Sequence, residues 1–471
     1  MHARRFAFVM LLAAPLSAAP PPAPPALAPH EADAREILRR AVAYRTSIGL
    51  GQVPALAEYL ASRFKAAGFP ESDIHVIPYG ESASLVVRYR GEPRPAAARK
   101  KPIAFLGHMD VVTAKPEDWK RDPFTLVEEN GYFFGRGTCD DKNTIALLTA
   151  TFLRLKAEGF VPARDLVLVL TGDEETEGAH ARDLVTNRRD LVDAEFALNG
   201  DAGGGTLAEE DGRPVSYGLQ TAEKTYASFE LTVRNAGGHS SLPRKDNAIY
   251  ELADALKAVQ ATRFPVMWND TTRAWFRVTG ARTAGPLGDA MRRFAADPKD
   301  AGAAAVLGDS PAEVGATRTT CIPTLLRGGH ADNALPQSAS ATVNCRIFPG
   351  VKVDDVRALL QKATGAGVTV ATLGRPEPSD ESPLRPDVLA AVEKAVHARR
   401  PGVPVAPYQE SGGTDGRLFR AAGIPTYGVG ETFIKDSDQF AHGLNERIPV
   451  ASFYDGLEHW AVLVKELAGP R

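Results

Sequence analysis

Thr171-Gly172-Asp173-Glu174-Glu175-Thr176-Glu177-Gly178 follows directly on Asp165-Leu166-Val167-Leu168-Val169-Leu170. The second of these segments is a short apolar run with the length and bounds of a buried parallel strand. A strand that ends in carboxylates delivers them to the C-terminal edge of its sheet, where open α/β folds place their ligands. Two adjacent glutamates there point in different directions and can divide the work, one holding a cation and the other handling a proton. An isolated Glu-Glu pair is more often a solvated acidic loop; the rest of the chain decides against that here.

Working outward, Ala32–Tyr44 and Val53–Ala67 read as amphipathic helices, and Ser84–Tyr89 and Pro102–Leu106 as strands. The second strand runs into Gly107-His108-Met109-Asp110. Tyr132–Gly137 is an aromatic, Gly-punctuated turn leading to Asp140-Asp141, and Asn143–Ala157 is a strongly apolar helix. This alternation predicts a mostly parallel sheet covered on both faces. Beyond Asp201 the pattern changes. Tyr226–Val233, Pro323–Leu326, Ser340–Phe348 and Val368–Leu373 read as strands, Asn247–Thr262 and Val353–Thr364 as helices. That β-α-β-β-α-β order is the ferredoxin-like unit. Phe264–Thr320 interrupts it with a mostly helical insertion, and Gly374–Pro383 reads as a linker back. The expected organisation is an α/β catalytic domain in two parts, 32–222 and 375–471, with an α+β lid, 223–374, inserted between them.

The chain has 471 residues, enough for more than one core. Its net charge of −3 gives no reason to propose nucleic acid or an anionic membrane as partner. Arg4 and Arg5, the apolar Phe6–Ala14 and small residues to Ala19 have the layout of a secretory signal peptide, residues 1–19. A Pro/Ala-rich tether, 20–31, follows. The mature protein is therefore expected to be periplasmic or secreted, with no membrane contact after cleavage. Three cysteines are not a disulfide framework. Cys321 and Cys345 are equidistant from Asn333, so an antiparallel pair of strands centred there sets them opposite one another and able to join. Cys139 is read as a small buried hydrophobe.

His108/Asp110, Asp140/Asp141, Glu174/Glu175, Asp201 and His442 each stand at a predicted strand end or in a loop. Imidazole and carboxylate without thiolate suit zinc, cobalt or manganese in an open site. The number of acids points to two ions, since one carboxylate can bridge a pair roughly 3.5–4 Å apart. Asp110, two residues beyond His108, can hold the imidazole ring from behind.

Gly107-His108-Met109-Asp110, Gly135-Arg136-Gly137-Thr138-Cys139-Asp140-Asp141-Lys142, Asp173-Glu174-Glu175, Gly237-Gly238-His239-Ser240-Ser241 and His442-Gly443-Leu444-Asn445-Glu446 together resemble the M20 family of zinc peptidases. That family includes dipeptidases, glutamate carboxypeptidases, aminoacylases and succinyl-diaminopimelate desuccinylases. The resemblance runs from about Ala32 to the C-terminus, in the family's order. It implies one ion on His108 and Asp201, another on Glu175 and His442, and Asp140 between them, with Asp141 the second choice. Glu174 would be the general base for a water acidified between the ions, Asp110 the acid behind His108, and the lid's His239 a donor to the oxyanion. Arg346, Asn333 and the Gly412-Gly413-Thr414 turn match positions lining the family's substrate pocket. In dimeric relatives a neighbouring lid supplies the histidine, which implies a homodimer through the lid. Asn143 departs from the family's usual glycine, and an altered turn is expected there. Asp201, rather than Glu, resembles the peptidase and aminoacylase branches more than the desuccinylases. The implied substrates are dipeptides or short peptides with a free carboxylate, or, on the same machinery, N-acyl amino acids. A non-catalytic binding module is disfavoured because no ligand position is missing.

Overall fold

The computed structural model describes residues 27–95 and 100–470. The expected signal segment and residues 20–26 of the tether lie outside the described residues. Residues 29–31, also assigned to the tether, are instead the first turn of α1 (Pro29–Ala43), where Pro29 stands in the position a proline tolerates and Glu31 accepts from the Ala28 N–H at 2.8 Å. Then come α2 (Val53–Ala66), β1 (Ile74–Tyr79), β2 (Ser82–Tyr89) and β3 (Ile103–His108). A small hairpin of β4 (Val127–Glu129) and β5 (Tyr132–Phe134) precedes α3 (Lys142–Ala157), β6 (Leu166–Thr171), α4 (Ala179–Asn187), α5 (Arg189–Val192), β7 (Phe196–Asn199), β8 (Gly204–Leu207) and β9 (Pro214–Glu223).

The lid's own sheet begins at β10 (Thr225–Arg234), followed by β11 (Gly238–His239) and α6 (Ala248–Ala261). Three helices, α7 (Asp270–Gly280), α8 (Gly285–Ala296) and α9 (Ala301–Asp309), intervene before β12 (Thr320–Gly328), β13 (Ala334–Leu335), β14 (Ser338–Ile347), α10 (Val353–Thr364) and β15 (Val368–Leu373). The chain then returns through α11 (Pro386–His397), β16 (Val405–Glu410), α12 (Gly416–Ala421), β17 (Thr426–Gly428), β18 (Phe433–Lys435), β19 (Arg447–Pro449) and α13 (Val450–Ala468).

The main sheet has ten strands in the order β1-β2-β6-β3-β7-β17-β9-β8-β18, with β16 also paired to β9. Its centre, β6-β3-β7-β17, is parallel. The strands β3, β6 and β7 are buried along their whole length, as expected of a parallel sheet with helices on both faces. Helix α3 is buried almost all round, which is why its sequence is apolar rather than amphipathic. Asn143 sits inside the first turn of α3 and donates to the buried Glu431 at 2.9 Å.

The lid sheet, β12-β14-β10-β15, is antiparallel throughout, and Phe229, Leu231, Val343, Leu252 and Leu360 pack its strands against α6 and α10. The three inserted helices do not join that core. They close on themselves through Phe276, Met291, Phe294 and Leu307, and α7 packs on β16 of the main sheet. The Thr221–Thr271 hydroxyl pair, 2.6 Å apart, ties α7 to β9. Residues 264–320 thus interrupt the lid in sequence but flank the catalytic sheet in space, because their apolar stripes find partners in one another and in β16.

Cys321 and Cys345 are directly opposed in the β12–β14 register and are joined by a disulfide; Cys139 is free. Thiol titration of denatured, unreduced protein is therefore expected to find one free thiol per chain. Three free thiols would contradict the pairing.

Candidate metal centre and active site

Three parallel strands end at one edge of the main sheet, and each delivers part of the site. His108 closes β3, Glu174 and Glu175 follow β6, and Asp201 follows β7. The Met109 N–H donates to the Thr171 carbonyl at 2.7 Å, so β3 and β6 stay paired to the brink of the site. Asp140 and His442 arrive on loops.

His108 is 1 % exposed. Its Nε2 lies 2.9 Å from Asp140 Oδ1 and 3.6 Å from Asp201 Oδ1. The other oxygen of Asp140 lies 3.0 Å from His442 Nε2, which is also 3.0 Å from Glu175 Oε2. The groups form a chain, Asp201–His108–Asp140–His442–Glu175, with the Asp140 carboxylate in the middle and one oxygen turned to each imidazole. Asp141 is close as well. It accepts the His108 backbone N–H at 3.1 Å, and its carboxylate joins His108 and Asp201 in a group whose ligand atoms lie within 4.8 Å of one another, as do His108, Asp140 and Glu175. Cys139 belongs to neither group.

Asp110 works behind these residues. His108 Nδ1 lies 3.1 Å from its backbone oxygen and 3.4 Å from its Oδ1. Its carboxylate accepts the backbone N–H of Glu174 at 3.2 Å and of Glu175 at 3.0 Å. One side chain thereby sets both the imidazole and the two glutamates.

The electrostatics call for cations. Burial pushes Asp201 up to about 7, and burial together with the charge of Asp201 holds Glu174 well above the usual range. Against the opposing pull of burial, hydrogen bonds from His108 and His442 keep Asp140 below the usual carboxylate range. Hydrogen bonds to Asp140 and Glu175 raise His442 to about 10. Glu175 Oε1 is buried with no hydrogen-bond partner. An orphaned buried carboxylate oxygen beside imidazoles that protonate to supply positive charge is the donor chemistry of a divalent cation site, so the residues fit such ions.

Two further pairs were given no role from sequence. Glu446, fully buried, accepts the N–H groups of Gly137, Cys139 and Asp140 at 2.8–3.0 Å and Arg136 Nη1 at 2.6 Å. Arg136 Nη2 in turn donates to the carbonyls of His442 and Gly443. The pair fastens the Asp140 loop to the His442 loop, where His442 sits at φ 64°, a conformation costly for a residue with a side chain. Asp415 accepts from Thr171 Oγ1 at 2.5 Å and leaves its other oxygen buried and unpartnered, and Arg417 approaches Glu174 to 3.9 Å. The signal for both lay in Thr414-Asp415-Gly416-Arg417, directly after the glycine turn.

A cavity of about 740 Å³ opens beside Glu174, Glu175 and His442 and is lined by Arg346, Arg417, Lys224 and Gly413. Arg346 is held over the Tyr226 ring at 4.7 Å and donates to the Ser411 carbonyl at 2.7 Å. Thr414 is not available to a ligand. Its hydroxyl donates to Glu223 at 2.5 Å and accepts from Asn199 and Gly416, all buried. His239 and Asn333 are both exposed and neither lines this cavity: His239 lies opposite Ala334 on the small β11–β13 ribbon, and beside it the Ser240 N–H donates to the Asn333 carbonyl.

The family model for peptidase family M20/M25/M40 matches residues 104–466. The chain is 31 % identical over 358 residues to an N-fatty-acyl-amino acid synthase/hydrolase of Xenopus tropicalis, covering 74 % of this chain and 69 % of the relative. It is 28 % identical over 404 residues to a succinyl-diaminopimelate desuccinylase of Acidiphilium cryptum (strain JF-5), covering 83 % and 87 %. Among solved structures, an M20 family metallo-carboxypeptidase from Sulfolobus solfataricus superposes with a TM-score of 0.69 at 19 % identity, over 92 % of this chain and 98 % of that one. With the fold, the converging imidazoles and carboxylates and these matches in hand, the chain belongs to peptidase family M20/M25/M40, metal-dependent hydrolases of peptide and related amide bonds.

Metal loading offers a test of the site that does not depend on turnover. At pH 7 the metal-free His442, at about 10, is protonated, and a ligand imidazole must be neutral. Binding therefore releases protons, and the calorimetric enthalpy of zinc binding is expected to vary with the ionisation enthalpy of the buffer. Equal enthalpies in all buffers would remove His442 from the ligand set.

Proposed function

We propose that this chain hydrolyses an amide bond whose leaving amine is an amino acid with a free carboxylate, a description that dipeptides, short peptides and N-acyl amino acids share. The observation that carries this reading is a cavity that holds the guanidinium groups of Arg346 and Arg417 in the same lining as Glu174, Glu175 and His442. A substrate carboxylate meets the guanidinium of Arg346 there with its scissile bond next to the acids. The similarity to an N-fatty-acyl-amino acid synthase/hydrolase supports the same reading.

His108 and Asp201 would hold one divalent ion, Glu175 and His442 a second, with Asp140 shared; zinc suits this set, and cobalt or manganese can replace it. Bound there, the ions supply Lewis acidity, polarising the carbonyl and making a water acidic near neutral pH. Glu174 belongs to neither set and is left free to move a proton. It takes one from the attacking water and returns it to the leaving nitrogen, so the C–N bond breaks as the water oxygen stays on the acyl carbon. Asp110 keeps His108 and Glu174 in place through the contacts described above.

Glu174→Gln is expected to lower kcat by roughly 10²–10⁴-fold while the metal content stays at about two ions per chain. Loss of one ion in that variant would make Glu174 a ligand.

The active form is proposed to be a homodimer. His239 is exposed at the tip of its lid and lines no part of its own cavity, while a donor to the oxyanion must reach hydrogen-bond distance. The edge strand β12 exposes Ile322, Leu325 and Leu326, a surface suited to pairing with a second copy. If His239 serves the partner's site, His239→Ala and Glu174→Ala are each nearly inactive, yet mixing and exchanging their subunits restores part of the activity. Exchanged subunits that stay inactive would confine His239 to its own chain. Export is proposed from the N-terminal segment, and the Cys321–Cys345 disulfide supports it, since such bonds persist in oxidising compartments.

A further inference from the structure

The inserted helices leave the lid and return to it through two short segments, Thr262-Arg263-Phe264 just past α6 and Arg318-Thr319-Thr320 leading into β12. Both segments line one cavity of about 680 Å³, together with the last turns of α6 and the start of β12. The volume falls within the range of about 300–1,000 Å³ typical of small-molecule pockets. No residue of its lining is shared with the cavity of Glu174 and Arg346 or with the one beside Asp140 and Asp201. Leu256, Val259, Phe264 and Val314 give it apolar surface. The threonine hydroxyls around them are already engaged. Thr262 Oγ1 donates to the Ala258 carbonyl at 2.8 Å, Thr319 Oγ1 accepts the Phe348 N–H at 3.0 Å, and Thr320 Oγ1 accepts from Lys224 Nζ at 3.4 Å.

The charge of this cavity is one-sided. Among the described residues that line it, Lys257, Arg263 and Arg318 are charged, and none is Asp or Glu. Lys257 Nζ donates to Gln260 Oε1 at 3.2 Å. Arg318 Nη2 donates to the Ala304 carbonyl at 3.3 Å, which leaves its Nε buried without a hydrogen-bond partner. Arg263 is exposed. Three cations without a carboxylate among them favour an anion, and a guanidinium takes a carboxylate through charge-assisted hydrogen bonds. A small hydrated anion such as phosphate would leave the apolar surface in water, whereas a ligand with an apolar body removes it. A cationic ligand would meet like charge and no counter-charge. We infer that this cavity binds a small organic carboxylate with an apolar body, its carboxylate held by Arg263 and Arg318 and its body resting on Leu256, Val259 and Phe264. The site is separate from the hydrolytic one and does not depend on the amide-hydrolase reading. Its ligand touches both the exit and the return of the inserted helices, and so stabilises the native chain by mass action.

The test is calorimetric titration of zinc-loaded full-length protein with phenylbutyrate, with phenylbutylamine as the same body bearing the opposite charge, and with acetate and inorganic phosphate as anions lacking the body. Phenylbutyrate is expected to bind about tenfold or more tightly than each of the other three. Arg263→Glu, which reverses a charge at the cavity, and Ala253→Trp, which fills part of it from α6, are each expected to weaken that binding by about tenfold or more. Both replaced side chains are exposed, and the melting temperature of the unliganded variants checks that they fold. Arg346→Ala, in the hydrolytic cavity, should bind phenylbutyrate as the wild type does. Binding lost in Arg346→Ala and kept in Arg263→Glu would place the ligand at the hydrolytic site and overturn the inference. So would the amine or phosphate binding as tightly as phenylbutyrate, binding unchanged in either Arg263→Glu or Ala253→Trp, or no binding of phenylbutyrate at all.

Discussion

Crowding of like charge at one edge of the main sheet is the constraint to which the rest of the molecule answers. Asp140, Asp141, Glu174, Glu175 and Asp201 converge there largely out of water, where mutual repulsion and desolvation both act against ionisation. The upward displacement of Glu174, Asp141 and Asp201 measures that conflict, and the raised imidazoles measure the demand for positive charge that results. A chain that used the same scaffold only to bind a neutral ligand would have no reason to keep so many acids in one place. The arrangement is costly as a fold and intelligible as a cation site.

The surrounding polar contacts keep this charge in register. Arg136 and Glu446 are both almost fully buried, a pairing whose value lies in its geometry more than in net stability. By taking three backbone N–H groups, Glu446 shapes the loop that presents Asp140; by capping two carbonyls, Arg136 steadies the loop that presents His442. The Arg420–Glu223 pair does the same for the glycine turn, since Glu223 receives the Thr414 N–H and hydroxyl. Precision at the site thus comes from charged pairs one layer away, set on a rigid parallel sheet.

Much of this was legible in the sequence because the informative signals are local. A strand followed by acids places those acids at a sheet edge whatever the partners of the strand, which made His108, Glu174, Glu175 and Asp201 readable. The opposition of Cys321 and Cys345 followed from the symmetry of the strand pair about Asn333. What escaped depends on tertiary contact. The placement of residues 264–320 follows from which apolar stripes meet, and neither the period nor the composition of α7–α9 says that they meet β16. The resemblance places Thr414 in the substrate pocket, but whether a hydroxyl is free depends on Glu223 and Asn199, each roughly two hundred positions away. Glu446 and Arg136 stood in plain view inside motifs, yet a charge that serves by being buried leaves no mark distinguishing it from one that faces water.

The position of β17 in the sheet bears on how the protein comes into being. This strand lies between β7 and β9, yet it is made more than two hundred residues after either, once the whole lid and the three inserted helices have left the ribosome. Before it is made, no strand stands between β7 and β9, and His442 has not been synthesised. The lid sheet has an apolar core of its own, but a chain that stops short of His442 lacks a member of the site. The parts of the chain on either side of the lid are therefore both needed before the site is complete.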